Sequence, residues 1–169
     1  MKMKTAAAIT GVSYLGLVMP RMFQRPKQGK KIYYAHRGLH YNAGNAPENT
    51  MAAFERAVKA GYGIELDVQL TKDGQVVVTH DFHLRRNCGI DKEVDECTYE
   101  ELCQYPVFFS KERIPLFTDV LKLVDGKVPL IVELKYKDGS KICEKADEIL
   151  QNYEGEYCIE SFHPQVLLW

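Results

Sequence analysis

The sequence has no excess of either charge: 22 Lys and Arg stand against 23 Asp and Glu, and the formal net charge is −1. Nucleic-acid-binding domains usually carry a basic excess, so no nucleic-acid partner is expected. Cysteine is scarce, since the five cysteines are odd in number and none forms a CxxC pair. This argues against a zinc site or a complete disulfide framework and favours free thiols in a reducing compartment. No internal repeat or low-complexity tract is present, and 169 residues suit one domain.

Long apolar runs are also missing, because the uncharged stretch at residues 5–20 is shorter than the ~17 residues at the lower limit for a membrane-spanning helix. We expect it to be a short membrane anchor, with a signal peptide or a soluble extension as alternatives; no A-x-A-like cleavage site follows it. The basic residues after it favour a membrane-associated protein with its main domain in the cytoplasm, and a soluble cytoplasmic protein is the alternative. Residues 1–31 are therefore expected to form a leader and basic linker, and residues 32–169 the folded domain.

The rest of the chain alternates short apolar runs with helical patterns, which predicts an α/β fold. Asp73 and Gly74 favour a two-residue turn, and therefore a hairpin to a strand at 76–80. The other predicted strands are 32–35, 63–70, 130–136 and 157–162, and the predicted helices are 50–60, 98–104, 116–124, 140–153 and one that begins at 164.

Carboxylates share one face of the strand at 63–70, because alternate residues of a strand point the same way. Glu65 and Asp67 lie opposite the apolar residues, ~7 Å apart, and repel each other unless a cation lies between them. The strand at 130–136 repeats the pattern with Glu133 and Lys135. A solvated strand face without function would look the same. Oxygen ligands with no Cys–His cluster nearby otherwise point to Mg²⁺ or Ca²⁺.

Two histidines are candidates for proton transfer near these carboxylates. A two-residue turn at 73–74 would place His80 opposite Asp67 on the same face. His36 and Arg37 follow the first strand, and sites in α/β folds form where strands end. Histidine titrates near neutrality, and the planar fork of arginine suits phosphate oxygens.

These segments together resemble the glycerophosphodiester phosphodiesterase family, including its membrane-anchored members. The matching motifs occur in order from residue 32 to the end of the chain: AHRG at 35–38, APENT at 46–50, IELDVQLTKDG at 64–74, VVVTHD at 76–81, IPLF at 114–117, VELK at 132–135 and ESF at 160–162. The resemblance implies a metal-dependent hydrolase of lipid and glycerol metabolism. It would release glycerol 3-phosphate and an alcohol from a glycerophosphodiester.

The resemblance also implies roles for individual residues. His36 and His80 match the acid/base pair of the family, and Glu65, Asp67 and Glu133 match its ligands for a divalent cation, Mg²⁺ or Ca²⁺.

The residues expected to bind substrate follow from the same resemblance. Arg37 and Lys135 match the phosphate-contacting cations, Glu48 matches the acidic residue of the PENT motif, and Phe162 matches an aromatic side chain at the rim of the pocket.

The family fold is a TIM-type (β/α) barrel, which typically needs about 250 residues. We therefore expect this chain to form about four barrel strands plus the hairpin, and not to be a competent enzyme as a monomer. Two other functions stay open: a non-catalytic half barrel, and a lysophospholipase D that acts on lysolipids.

Overall fold

The computed structural model describes residues 31–137 and 141–168. Each predicted strand and helix is found there, with ends that differ by a few residues. The strands are β1 Tyr34–His36, β2 Gly63–Leu70, β3 Val76–Val78, β4 Leu130–Leu134 and β5 Tyr157–Glu160. The helices are α1 Met51–Ala60, α2 Arg85–Cys88, α3 Tyr99–Leu102, α4 Phe117–Val124, α5 Lys141–Leu150 and α6 Pro164–Leu168, with 3₁₀ turns at Val94–Glu96 and Val107–Phe109.

Four parallel strands form the main sheet in the order β1-β2-β4-β5, and β3 pairs with β2 in the antiparallel direction. Consecutive parallel strands are therefore neighbours and are joined by helices, which is the winding of a TIM-type barrel. The register aligns His36 with Glu65, Asp67 with Glu133, and Glu133 with Glu160. Four acidic residues of three strands thus meet at one end of the sheet.

The apolar face of β2 and β4 packs against α1, α4 and α5. This packing explains the alternation in the sequence, since one strand face enters the helical layer while the other presents its polar residues. Fully burying one such side chain stabilises the fold by about 1.5–3 kcal/mol. The buried strand residues are Ile64, Leu66, Val68, Leu130, Val132 and Leu134, and they share a core with Phe54, Val120 and Ala146 of the helices.

The hairpin loop has three residues, so the predicted two-residue turn is wrong. The amide of Thr71 donates to the carbonyl of Gln75 at 3.0 Å, which closes a loop over residues 72–74. Gly74 ends this loop with a φ of 76°, the left-handed conformation that three-residue hairpin loops require. A dipeptide that favours a turn does not by itself fix the length of the loop.

The loop length changes which residue faces Asp67. Val68 pairs with Val78, and the amide of Thr79 donates to the carbonyl of Asp67 at 2.9 Å. Thr79, and not His80, is therefore opposite Asp67, and the register predicted for His80 is wrong by one residue. A slip of one residue moves a side chain to the other face of a strand. His80, however, lies beyond the end of β3, where the strand no longer dictates its direction.

Residues 84–116 form a small second core beside the sheet. Their buried apolar side chains pack together around Val77 of β3, and they include Leu84, Val94, Leu102 and Ile114. This segment carries Arg86 to the edge of the polar face, where it contacts Glu48 and Asp81.

No helix within residues 31–137 and 141–168 is long and apolar enough to cross a membrane. The predicted anchor at residues 5–20 and the boundary after residue 31 involve residues outside these ranges and stay predictions.

Candidate active site

Three carboxylates of β2, β4 and β5 converge on one face of the sheet, from the first half of β2 and from the ends of β4 and β5. One oxygen each from Glu65, Glu133 and Glu160 lies within 4.8 Å of the others. Glu65 and Glu133 are buried, whereas Glu160 is exposed. Two of the three predicted metal ligands therefore belong to this cluster, together with a carboxylate that the sequence did not single out.

Asp67, the third predicted ligand, lies beside the cluster and contacts cations. Its Oδ1 is 3.3 Å from Nζ of Lys135, which also donates to Glu133 Oε1 at 2.9 Å. Its Oδ2 accepts from Nδ2 of Asn49 at 2.9 Å and is 3.6 Å from Nε of Arg37. The side chain is 1% exposed, and Oδ1 has no hydrogen bond within the described part of the chain.

The electrostatics of the cluster favour a bound cation. Burial and the neighbouring Asp67 charge raise the pKa of Glu65 to about 7, with smaller effects from Glu160 and Glu133. Burial also raises the pKa of Glu133, against the opposing effect of Lys135. Carboxylate oxygens are the donors that Mg²⁺ and Ca²⁺ prefer. This donor set, with the buried and unbonded Oδ1 of Asp67 beside it, fits a divalent cation.

A strained turn after β1 directs a backbone amide at the cluster. Arg37 has a φ of 55°, and its N–H donates to Glu65 Oε2 at 3.0 Å. Gly38 follows with a φ of 80°, and a Cβ there would come within 3.0 Å of Ala53. Such strain persists only where the surroundings hold it, and it is common at functional sites.

His36 stands at the mouth of this site. Its Nε2 is 3.8 Å from Glu65 Oε2, and its side chain is 68% exposed. Partial burial and the Arg37 charge lower the pKa of His36, and the charge of His80 adds to this effect.

His80 is held by groups on both its side chain and its backbone. Its Nδ1 is 2.7 Å from Oδ1 of Asp81, whose other oxygen accepts from Nε of Arg86. Nε2 of Gln69 donates to the carbonyls of Thr79, His80 and Asp81 at 2.9, 3.0 and 3.0 Å. Gln69 thereby fixes the chain where β3 ends.

Glu48 joins the two arginines of the site. It accepts from Nη1 of Arg37 at 2.9 Å, from Nη2 of Arg86 at 2.6 Å and from Nδ2 of Asn42 at 2.7 Å. Burial alone would raise the pKa of Glu48, but the hydrogen bonds from Arg86 and Asn42 outweigh it and lower the pKa to about 2. Glu48 therefore stays ionised and holds the side chains of Arg37 and Arg86 beside the site, and its predicted contact with substrate stays a prediction.

Replacing Glu48 with glutamine is expected to reduce the free energy of unfolding by about 1–3 kcal/mol at pH 7, because Arg37 and the half-exposed Arg86 lose their charged, buried acceptor. The folded-state pKa lies below the ordinary 4.5, so this stabilisation is complete above pH 4.5 and is lost as the pH falls toward 2. The difference in the free energy of unfolding between wild type and Glu48→Gln, measured with urea, should therefore narrow from pH 7 to pH 3. Glu55→Gln, which removes an exposed partner of Lys59, is the control. A constant difference across this pH range would contradict the assignment.

Two open grooves adjoin the cluster and share Lys135. One, of about 640 Å³, has His80 and Arg86 in its walls. The other, of about 210 Å³, includes Glu133 and Phe162, and Phe162 is 91% exposed. The predicted phosphate-binding lysine therefore lies between the histidine and the aromatic side chain.

The structure adds four residues that the sequence prediction did not include. Asn49, Asp81 and Glu160 lie within the APENT, VVVTHD and ESF motifs, so the signal for them was present. Arg86 belongs to a segment without periodicity, and no pattern marks it. All four contact or adjoin predicted site residues: Asn49, Asp81, Arg86 and Glu160.

Comparison with known sequences finds one family and several relatives. Residues 36–160 match the Glycerophosphoryl diester phosphodiesterase family. A glycerophosphodiester phosphodiesterase of Bacillus altitudinis is 39% identical over 143 residues, which are 77% of this chain and 57% of the relative. A lysophospholipase D of Rattus norvegicus is 34% identical over 160 residues, 86% of this chain and 49% of the relative.

Solved structures of similar fold agree with these matches. A phosphodiesterase of Oleispira antarctica, in complex with the product sn-glycerol-3-phosphate, superposes with a TM-score of 0.73 at 27% identity, over 82% of this chain and 60% of that one. A glycerophosphodiester phosphodiesterase of Thermotoga maritima has a TM-score of 0.68 at 30% identity, over 83% and 58%. The predicted TIM-type fold is confirmed, and the chain spans about half to three fifths of the length of these relatives.

Proposed function

We propose that this chain, which belongs to the glycerophosphoryl diester phosphodiesterase family, serves the hydrolysis of glycerophosphodiesters to glycerol 3-phosphate and an alcohol. The observation that carries the proposal is the meeting of carboxylates, cations and histidines at the ends of parallel strands. Glu65 and Glu133 adjoin Lys135 and Arg37 there, with His36 at the mouth. Relatives named for this activity support it.

A divalent cation would be held by Glu65, Asp67 and Glu133. Bound there, it would neutralise the phosphate charge and lower the pKa of an attacking hydroxyl group. Lys135, which contacts Asp67 and Glu133, would turn toward the phosphate once the carboxylates have another partner. Mg²⁺ and Ca²⁺ both suit oxygen ligands.

The remaining groups would bind the diester and move its protons. Arg37 and Lys135 would orient the phosphate oxygens. If water attacks phosphorus, the bond to the departing alcohol breaks and glycerol 3-phosphate forms directly. If a hydroxyl of the glycerol moiety attacks, the alcohol departs and a cyclic phosphate forms, which a water molecule then opens to glycerol 3-phosphate. Of His36 and His80, one would accept the proton of the nucleophile and the other would protonate the departing oxygen.

The choice of substrate can be tested with two related diesters. Because the chain alone is not expected to be competent as a monomer, the form to test is one in which the barrel is complete; with Mg²⁺ or Ca²⁺ present, it is expected to release glycerol 3-phosphate from glycerophosphocholine. We expect kcat/KM to be at least about tenfold higher than for lysophosphatidylcholine, a difference of about 1.4 kcal/mol in transition-state stabilisation. Phosphorus NMR of the products measures both reactions. Release from neither substrate would contradict the proposed function.

A lysolipid substrate is the second candidate, and two observations favour it. Relatives named lysophospholipase D are 34% identical to this chain. Phe82 and Phe162 leave aromatic surface exposed along the grooves, which an acyl chain would cover. Preferential formation of lysophosphatidate in the same experiment would establish this second reading.

A further inference from the structure

We infer that Glu160 is a ligand of the divalent cation, and that with it the site favours Ca²⁺ over Mg²⁺. The inference rests on the proposed function and adds a carboxylate of β5 to the expected ligands of β2 and β4. An exposed edge-strand glutamate without function is the competing interpretation.

The register brings Glu160 to the cluster. Glu133 pairs directly with Glu160 across β4 and β5, and directly paired residues share a face. Oxygens of Glu65, Glu133 and Glu160 lie within 4.8 Å of one another. Ca²⁺ binds oxygens at about 2.3–2.6 Å, so one ion can contact two oxygens that are up to about 5 Å apart. All three carboxylates can therefore reach a single ion.

A second observation, outside the three-carboxylate cluster, also indicates a bound cation. Oδ1 of Asp67 is buried and has no hydrogen bond among the described residues. Its one close cation is Nζ of Lys135 at 3.3 Å, which Glu133 shares at 2.9 Å. A buried carboxylate oxygen without a hydrogen bond is costly, and a bound cation would satisfy it.

The site has an excess of negative charge that a doubly charged cation would neutralise. Glu65, Asp67, Glu133 and Glu160 carry four negative charges when ionised, and their side chains have two close cationic partners, Lys135 and the partly shared Arg37. Two negative charges remain, which one divalent cation would neutralise.

The number of protein ligands favours calcium. Ca²⁺ accepts six to eight oxygens in flexible geometry, whereas Mg²⁺ keeps several waters and usually takes one or two carboxylates. Four nearby carboxylates thus suit Ca²⁺ better. Removal of Glu160 should affect Ca²⁺ more than Mg²⁺, because Mg²⁺ can replace a lost carboxylate with water.

Isothermal titration of the full chain with CaCl₂ and with MgCl₂ tests the inference without reference to activity. Glu160→Gln is expected to weaken Ca²⁺ binding at least about tenfold, since even residues that only support a ligand contribute about 10–100-fold to affinity. Mg²⁺ binding should weaken by a smaller factor. Glu156→Gln, an exposed glutamate just before β5, is the matched control and should bind both ions as wild type does.

Two further variants separate failure of the inference from failure of the proposed function. Glu133→Gln should lose binding of both ions, and wild-type affinity in that variant would overturn the cation site itself. Loss in Glu133→Gln with Ca²⁺ affinity unchanged in Glu160→Gln would overturn only the role of Glu160. Glu160→Asp, which keeps the charge on a shorter side chain, should recover part of the Ca²⁺ affinity. Equal losses of Ca²⁺ and Mg²⁺ in Glu160→Gln would overturn the preference for Ca²⁺.

Discussion

Glu65→Gln, Asp67→Asn and Glu133→Gln are each expected to abolish the hydrolysis that EDTA inhibits. Each substitution removes a charged oxygen donor but keeps the shape of the side chain, so the loss reflects the cation and the groups that it organises. Groups that stabilise developing charge at a reacting centre contribute about 10²–10³-fold each. Initial rates with glycerophosphocholine, before and after EDTA and with Mg²⁺ or Ca²⁺ restored, measure the effect.

Asp67→Asn is the most informative variant of the three, because the contacts of Asp67 are compatible with two roles that different measurements can distinguish. It lies beside Lys135 and Arg37, so it could either bind the cation or only position these two side chains. A ligand role predicts that Asp67→Asn raises the Kd for the cation. A positioning role predicts an unchanged Kd with a higher KM for substrate, and that outcome would remove Asp67 from the ligand set.

The control for Asp67→Asn is Asp119→Asn, which removes an exposed carboxylate that contacts Lys122 on α4. It should keep the wild-type rate and cation affinity. Circular dichroism of every variant in EDTA shows whether the fold is retained, since replacing a buried charge with an amide changes stability as well as binding. Retention of most EDTA-sensitive activity in any one of the three site variants would exclude that residue as a ligand.

The carboxylate face could be predicted from the sequence because its cause is local. Strand alternation places Glu65 and Asp67 together whatever the rest of the chain does. Each strand between helices needs an apolar face for the helical layer, and that requirement fixes which residues face the other way. The same rule predicts the face of Glu133 within β4, and the pairing of Asp67 with Glu133 agrees with it.

Relations between strands were harder to predict because no local pattern sets them. Parallel strands are joined by a helical crossover, so no tight turn fixes their stagger. The pairing of Glu133 with Glu160 was therefore hidden, although Glu160 was part of a recognised motif. The pairing of β2 with β3 was also predicted incorrectly, although these strands are close in sequence. The loop between them is one residue longer than expected, and this places Thr79 opposite Asp67.

Backbone strain and side-chain networks were the least predictable features. Arg37 and Asn49 both have φ near 55°, and each sends a donor to a carboxylate of β2. The side chain of Asn49 donates to Asp67, although α1 begins only two residues later. Non-glycine residues keep such backbone conformations only where many surrounding contacts stabilise them. No single sequence motif contains that information.

His36→Ala and His80→Ala are each expected to reduce kcat by about 10²–10⁴-fold while cation affinity stays unchanged, because proton-transfer groups contribute about this much. Both histidines adjoin the carboxylate cluster or the Lys135 groove, and neither is a predicted ligand. Steady-state kinetics and isothermal titration of the same preparations separate the two quantities.

Three other histidines serve as controls, and they differ in how closely their surroundings match those of His80. His83 lines the same groove as His80 and contacts Asp91, so His83→Ala tests whether any histidine in the groove suffices. His163 stacks on Tyr136 with ring centroids 3.9 Å apart, and His40 lies in the turn after Gly38. A loss in any of these as large as in His36→Ala or His80→Ala would make the assignment wrong.

A diester of glycerol 3-phosphate with p-nitrophenol can then distinguish the acid from the base. Its leaving group departs without protonation, so the variant that lacks the general acid should recover most of its rate with this substrate. The variant that lacks the general base should stay slow, because its nucleophile still has to lose a proton. His80 is held through Nδ1 by Asp81, which leaves Nε2 to exchange a proton with the substrate in either role. If the activated substrate rescues both variants or neither, the histidines do not divide the two proton transfers between them, and the acid/base pair is contradicted.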